Sequence, residues 1–223
     1  TTIYSAISSV LASRIIVMPR NNMLNYAEKY LSERVEVFRK DMAICLTPDQ
    51  DERHAYFPAL LTCLSFIDLA SCLNIGNLDP RNGMGHVLSF ANEFMHQPEY
   101  DDKNVKILWL MFRHKTAHNS QPYWVFDSHS RKELQEYDRM KIAWTVDEKP
   151  IPTPISIVPK DGAVEGISPW PSPFNHLCTI SLPTLQCDIE EAILGNHGYL
   201  YALKKDQQRL DKFEKCIEEI FPK

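Results

Sequence analysis

A mainly α fold is what the sequence predicts: a helical bundle with a small inserted β element and a long C-terminal helix. Three observations carry this. Apolar residues recur at three- and four-residue steps between positions 22 and 45, the run AYFPALLTCLSFIDLASCLNIG is apolar on nearly every side, and aromatic and β-branched residues concentrate only after Asn119. With 223 residues, 44% of them hydrophobic, the chain is long enough to bury a sizeable core as a single domain over 1–223.

In NMLNYAEKYLSERVEVFRKDMAIC, Leu24, Ala27, Leu31, Val35 and Phe38 form one helical stripe with Tyr30 beside it. Thr47 and Asp49 offer caps for the next helix, whose all-round apolar character places it in the middle of the bundle. Gly76 supplies its stop, and NLDPRNG is turn chemistry. A shorter helix is expected from Met84 to Met95, and Asp101 or Asp102 caps a fourth. Beyond it, QPYWVFDSH and RMKIAWTVDE read as a strand pair. The seven prolines of 149–175 predict an irregular loop, and LCTISLPTL a strand. The domain therefore divides into a helical core (22–118), a β hairpin with a proline-rich insertion (120–183) and a C-terminal helix (187–221) broken near Gly195 and Gly198.

Composition narrows the functional classes. Charged residues interrupt the hydrophobic runs, so no window is expected to approach the ~18 apolar residues of a membrane span. In the N-terminal TTIYSAISSVLASRIIVMPR the basic residues follow the apolar stretch, the reverse of a secretory signal, and a cytoplasmic location is expected. The six cysteines contain no CxxC pair and read as reduced core thiols. His86 and His96, with Glu93 one turn from the latter, are spaced too widely to argue for a metal, and His197 reads as a turn residue; neither metal nor cofactor is expected. A net charge of −5 withholds the broad attraction of a general nucleic-acid binder, leaving Lys103, Lys106, Arg113 and Lys115 as a local basic stretch partly offset by Asp101 and Asp102.

That basic stretch holds the most informative segment, ILWLMFRHKTAHNSQPYW. Six apolar residues run into Arg113, His114 and His118, which either complement a helix C-terminus or form a site. Five residues separate Arg113 from His118, which on a continuous helix puts them about 140° apart. They converge only where the helix ends or distorts, and Asn119, Ser120 and Pro122 favour an end near His118. Chemically, the pair suits cleavage of an RNA phosphodiester without a metal. Arg113 would hold the phosphate through its fork, and His118 would take or give a proton. One histidine cannot do both jobs at once, so a second must come from His114 or from another copy of the chain. Asp68, alone in an apolar helix, needs a cation such as Arg113. Trp109, Phe112, Tyr123, Trp124 and Phe126 cluster around the motif in sequence, as packing residues or as base-stacking surfaces.

The pattern R-H-K-T-A-H, with the apolar second helix LLTCLSFIDLASCL, the lead-in ILWLMF and a proline soon after, resembles the HEPN superfamily (higher eukaryotes and prokaryotes nucleotide-binding domains). The layout over most of the chain is similar to a group of bacterial proteins of similar length in that superfamily. The resemblance implies an HEPN-like bundle, commonly paired so that two Arg-His motifs face each other, and a metal-independent endoribonuclease in a toxin or antiphage role. It equally implies an alternative, a non-catalytic nucleotide-binding or protein-interaction module. By this resemblance Arg113 and His118 occupy the motif ends and His114 its second position, with Asp68 and Asn119 in support. The implied partners are RNA or a nucleotide, a second copy, and an antitoxin or regulatory protein.

Overall fold

The computed structural model describes residues 20–51, 54–114, 124–137, 139–165 and 171–222. The chain is mainly helical, with one small sheet. α1 runs Arg20–Leu46, α2 Tyr56–Ile75, α3 Gly83–Phe94 and α4 Asp102–Leu108, the last continuing as a π-helical stretch over Trp109–His114. Strands β1 (Val125–Asp127), β2 (Lys141–Asp147), β3 (Ile155–Val164) and β4 (Ser172–Ser181) follow, and then α5 (Leu182–Leu194), α6 (Tyr199–Lys205) and α7 (Gln207–Ile220).

α1 buries Met23, Ala27, Leu31, Val35, Phe38 and Met42, one residue per turn, so the predicted stripe is its core face. α2 lies at the centre, touching α1, α3, α5, α7 and the π-helical stretch. By length and composition it could cross a membrane, with 20 residues and a mean hydropathy of 1.6, contrary to the expectation that no window comes near. Asp68 is its one charged residue, and a single carboxylate does not break the run. The predicted stop holds: Gly76 adopts φ 76°, and a Cβ there would come within 2.8 Å of Lys212 Cβ, so both backbone and packing favour glycine. The predicted start does not. Ala55 precedes α2 without a side-chain cap, Thr47 Oγ1 instead donates to Ala43 O, and Asp49 accepts from Asp51 N in a turn. Asp101 caps α4 as expected, accepting from Asn104 N.

The sheet order is β1-β2-β4-β3. β1 and β2 form the predicted antiparallel pair, with Phe126 opposite Ile142. The proline-rich segment is a correction: instead of an irregular loop it supplies β3 and the start of β4. Pro159 is tolerated because β3 is an edge strand, with a bulge between Pro159 and Gly162. β2 and β4 are parallel, a pairing that skips β3 in sequence. The strand expected over LCTISLPTL ends at Ser181, whose side chain accepts from Thr184 N to cap α5. The C-terminal helix breaks at Gly195 and Gly198 and again at Asp206, which accepts from Gln208 N and Arg209 N to start α7.

Arg209 then ties α7 to the centre. Its guanidinium donates to Asn74 on α2 at 3.0 Å, pairs with Glu93 on α3 and packs 5.6 Å above the Phe94 ring. The expected core thiols are found at Cys63, Cys72, Cys178 and Cys216, whereas Cys187 is exposed. Burial pushes Cys72 up to about 11 and Cys178 and Cys216 up to about 12, so these thiols stay protonated at neutral pH and are poor nucleophiles.

Tyr100, buried on the loop before α4, donates to Asp188 of α5 at 2.7 Å. Burial raises the Asp188 pKa, the Tyr100 hydrogen bond lowers it and Glu99 adds to the rise. A carboxyl raised in the folded state favours folding most fully below its unfolded value, and that contribution is lost as pH rises through the folded value. Asp188→Asn keeps an acceptor for Tyr100 and removes the charge. At pH 7 it is expected to melt at or above the wild-type temperature, with the difference closing as pH falls through the raised Asp188 value; thermal melts across that range check this.

Candidate functional site

The site begins with the distortion that follows α4. Ile107, Leu108, Leu110, Met111 and Phe112 are all buried, so this segment is fixed on several sides at once. The π-helical turn inserts extra backbone per turn, re-aiming the residues at its end. The distortion precedes and includes Arg113, whereas the sequence required one between Arg113 and His118.

Arg113 emerges at the last turn with its head against α2. Its Nη2 donates to Asp68 Oδ2 at 3.2 Å, as the lone carboxylate in an apolar helix demanded, and its guanidinium stands 5.8 Å from the Trp109 ring centre. Gly83 of α3 makes room for Trp109: a Cβ there would lie 3.3 Å from Trp109 Cζ2. The pair is not sealed, since the Arg113 and Asp68 side chains keep 30% and 23% exposure. Arg113 Nε is buried and has no hydrogen-bond partner among the described residues. A guanidinium has five N–H donors, and among the described residues Asp68 engages one of them.

His118 and Asn119 lie outside the described residues, as does the side chain of His114. The site therefore has a defined half, comprising Asp68, Trp109 and Arg113, and the sequence places the histidines immediately after it.

Of the aromatics singled out in the sequence, Trp109 contacts Arg113, and Phe112 packs edge-on to Trp144 at 5.3 Å. Trp124 stacks on Trp144 at 6.4 Å, Phe126 is fully buried, and Tyr123 lies outside the described residues. Sequence reasoning missed Trp144 and Phe57, whose rings meet at 4.7 Å. They come from β2 and the start of α2, and no local pattern signals that they join a cluster beside Phe112. Trp124 keeps 42% exposure, leaving an aromatic surface beside Phe57 and Trp144.

His86 is buried on α3, while His96, beyond its end, is exposed. Among the described residues no group of three His, Cys, Asp or Glu side chains is arranged to hold a metal ion. No family model, curated protein or solved structure matches the chain.

Proposed function

We propose that the protein is a metal-independent endoribonuclease of HEPN type, with Arg113 binding the scissile phosphate and His118 moving a proton at the ribose 2′-oxygen or the leaving 5′-oxygen. The observation that carries this reading is Arg113 itself: a part-exposed guanidinium, oriented by Asp68 and Trp109. A fixed fork of this kind recognises a phosphate and stabilises the charge that develops on it during in-line attack. The histidine that follows five residues later supplies acid–base chemistry near neutral pH, and His114 or a second copy supplies the complementary proton-transfer group. In the cell such an enzyme acts as a toxin or in antiphage defence, in the cytoplasm, restrained by an antitoxin or regulatory protein.

A second reading has its own observation. Asp68 already offsets much of the charge on Arg113, which leaves less of it for the negative charge that develops in cleavage and suits a non-catalytic nucleotide-binding or protein-interaction module. The two separate on one experiment: a mixed RNA pool incubated in EDTA with wild type or His118→Ala. Cleavage by wild type and its loss in His118→Ala is the expected result. RNA left intact by both, with a nucleotide still bound, overturns the ribonuclease and favours the binding module.

A further inference from the structure

One face of α1 carries Tyr30, Arg34, Val37, Asp41 and Ile44, an arc about 80° wide at α-helical geometry. The order along it is apolar, charged, apolar, charged, apolar, and it is nearly symmetric about Val37. Val37 and Ile44 are 40% and 73% exposed. Beside this face, Leu61, Phe66 and Leu69 of α2 join Arg34, Val37 and Asp41 in lining a groove of about 410 Å³.

The charges along α1 set this face apart. Lys29 pairs with Glu33, Glu36 with Arg39 and Lys40, Arg39 also with Glu190 of α5, and Glu28 with Lys204 of α6. Arg34 and Asp41 make no ion pair among the described residues, though Arg34 stands 5.8 Å from the Tyr30 ring centre. Seven residues apart, the two are of opposite sign and sit at either end of the groove. An α1 helix running antiparallel about a two-fold axis at Val37 brings Arg34 of each copy to within one residue of the level of Asp41 of the other. The same register sets Tyr30 against Ile44 and Val37 against Val37.

We propose that this surface is the interface of a two-fold homodimer, α1 packing antiparallel on α1 and the groove beside it receiving exposed aliphatic side chains of the second copy. A self-complementary patch is what a two-fold contact requires, and the unpaired charges fix its register. The interface sits on α1 and α2, not at the motif where the HEPN resemblance would put it.

The interface stands independently of the ribonuclease reading, because its test measures mass and not cleavage. Sedimentation velocity at micromolar concentrations should show a wild-type dimer. Arg34→Asp leaves the face acidic at both positions and Asp41→Arg leaves it basic at both, so each variant alone should be monomeric, with affinity weakened at least about tenfold. Mixed in equal amounts, the two variants should form a heterodimer, since every contact is again between opposite charges. Both positions are solvent-exposed, and unchanged circular dichroism confirms that folding is intact. Monomeric wild type overturns the proposal, including a monomer that instead floats with phosphatidylcholine vesicles. So do single variants that remain dimeric, or a mixture that stays monomeric.

Discussion

Arg113→Ala is expected to lower RNA cleavage by about 10²–10³-fold, the loss typical when a preorganised donor to a developing negative charge is removed. The effect is that large because this side chain is the one described cation held in place at the motif, by a carboxylate on α2 and an indole one helical turn back. Arg113→Lys keeps a charge but not the planar fork, and should recover only a small part of the activity. Removing the guanidinium also strands Asp68, which is only 23% exposed, at a cost of about 1–3 kcal/mol in stability. Melting curves recorded beside the initial rates separate the two effects: a variant still folded at the assay temperature and inactive has lost chemistry, not structure.

Phe112→Ala carries the largest expected stability loss, about 3–5 kcal/mol, because it empties a fully buried aromatic site. Phe112 joins the helical bundle to the sheet. It lies in the π-helical stretch, its ring meets Trp144 of β2 edge-on at 5.3 Å, and Trp144 in turn meets Phe57 of α2 at 4.7 Å. Losing it removes dispersion contacts from the bundle and the sheet at once. Denaturant titration should show the lower midpoint, and near-ultraviolet dichroism should show Trp144 in a less fixed environment. A change under 1 kcal/mol would mean that the sheet is held by other contacts.

What could be read from the sequence, and what could not, follows from how local each signal is. The α1 stripe, the Gly76 stop, the Asp101 cap and the β1–β2 pair each depend on residues close together in the chain, and each is present. The partnership of Asp68 with Arg113 was also legible, although 45 residues separate them, because a lone carboxylate in an apolar helix must find a cation. The parallel pairing of β2 with β4 was not legible, since nothing near either strand specifies a partner beyond β3. Prolines misled for a related reason: Pro159 argues against a central strand, but β3 lies at an edge where a missing N–H costs little. The π-helical distortion likewise has no signature in WLMFRH itself.

The candidate site divides along the same line. Its orienting half is built by tertiary contacts from α2, α3 and the π-helical stretch, whereas its proton-transfer half rests on the spacing of His114 and His118 after Arg113. The measurement that joins the halves is the identity of the ends left on RNA cut by the wild-type protein in EDTA. Attack by the ribose 2′-oxygen, with Arg113 on the phosphate and histidine moving the protons, leaves a 2′,3′-cyclic phosphate and a 5′-hydroxyl. Those ends are the predicted result. Products ending in 3′-hydroxyl and 5′-phosphate, or no products at all, would contradict it.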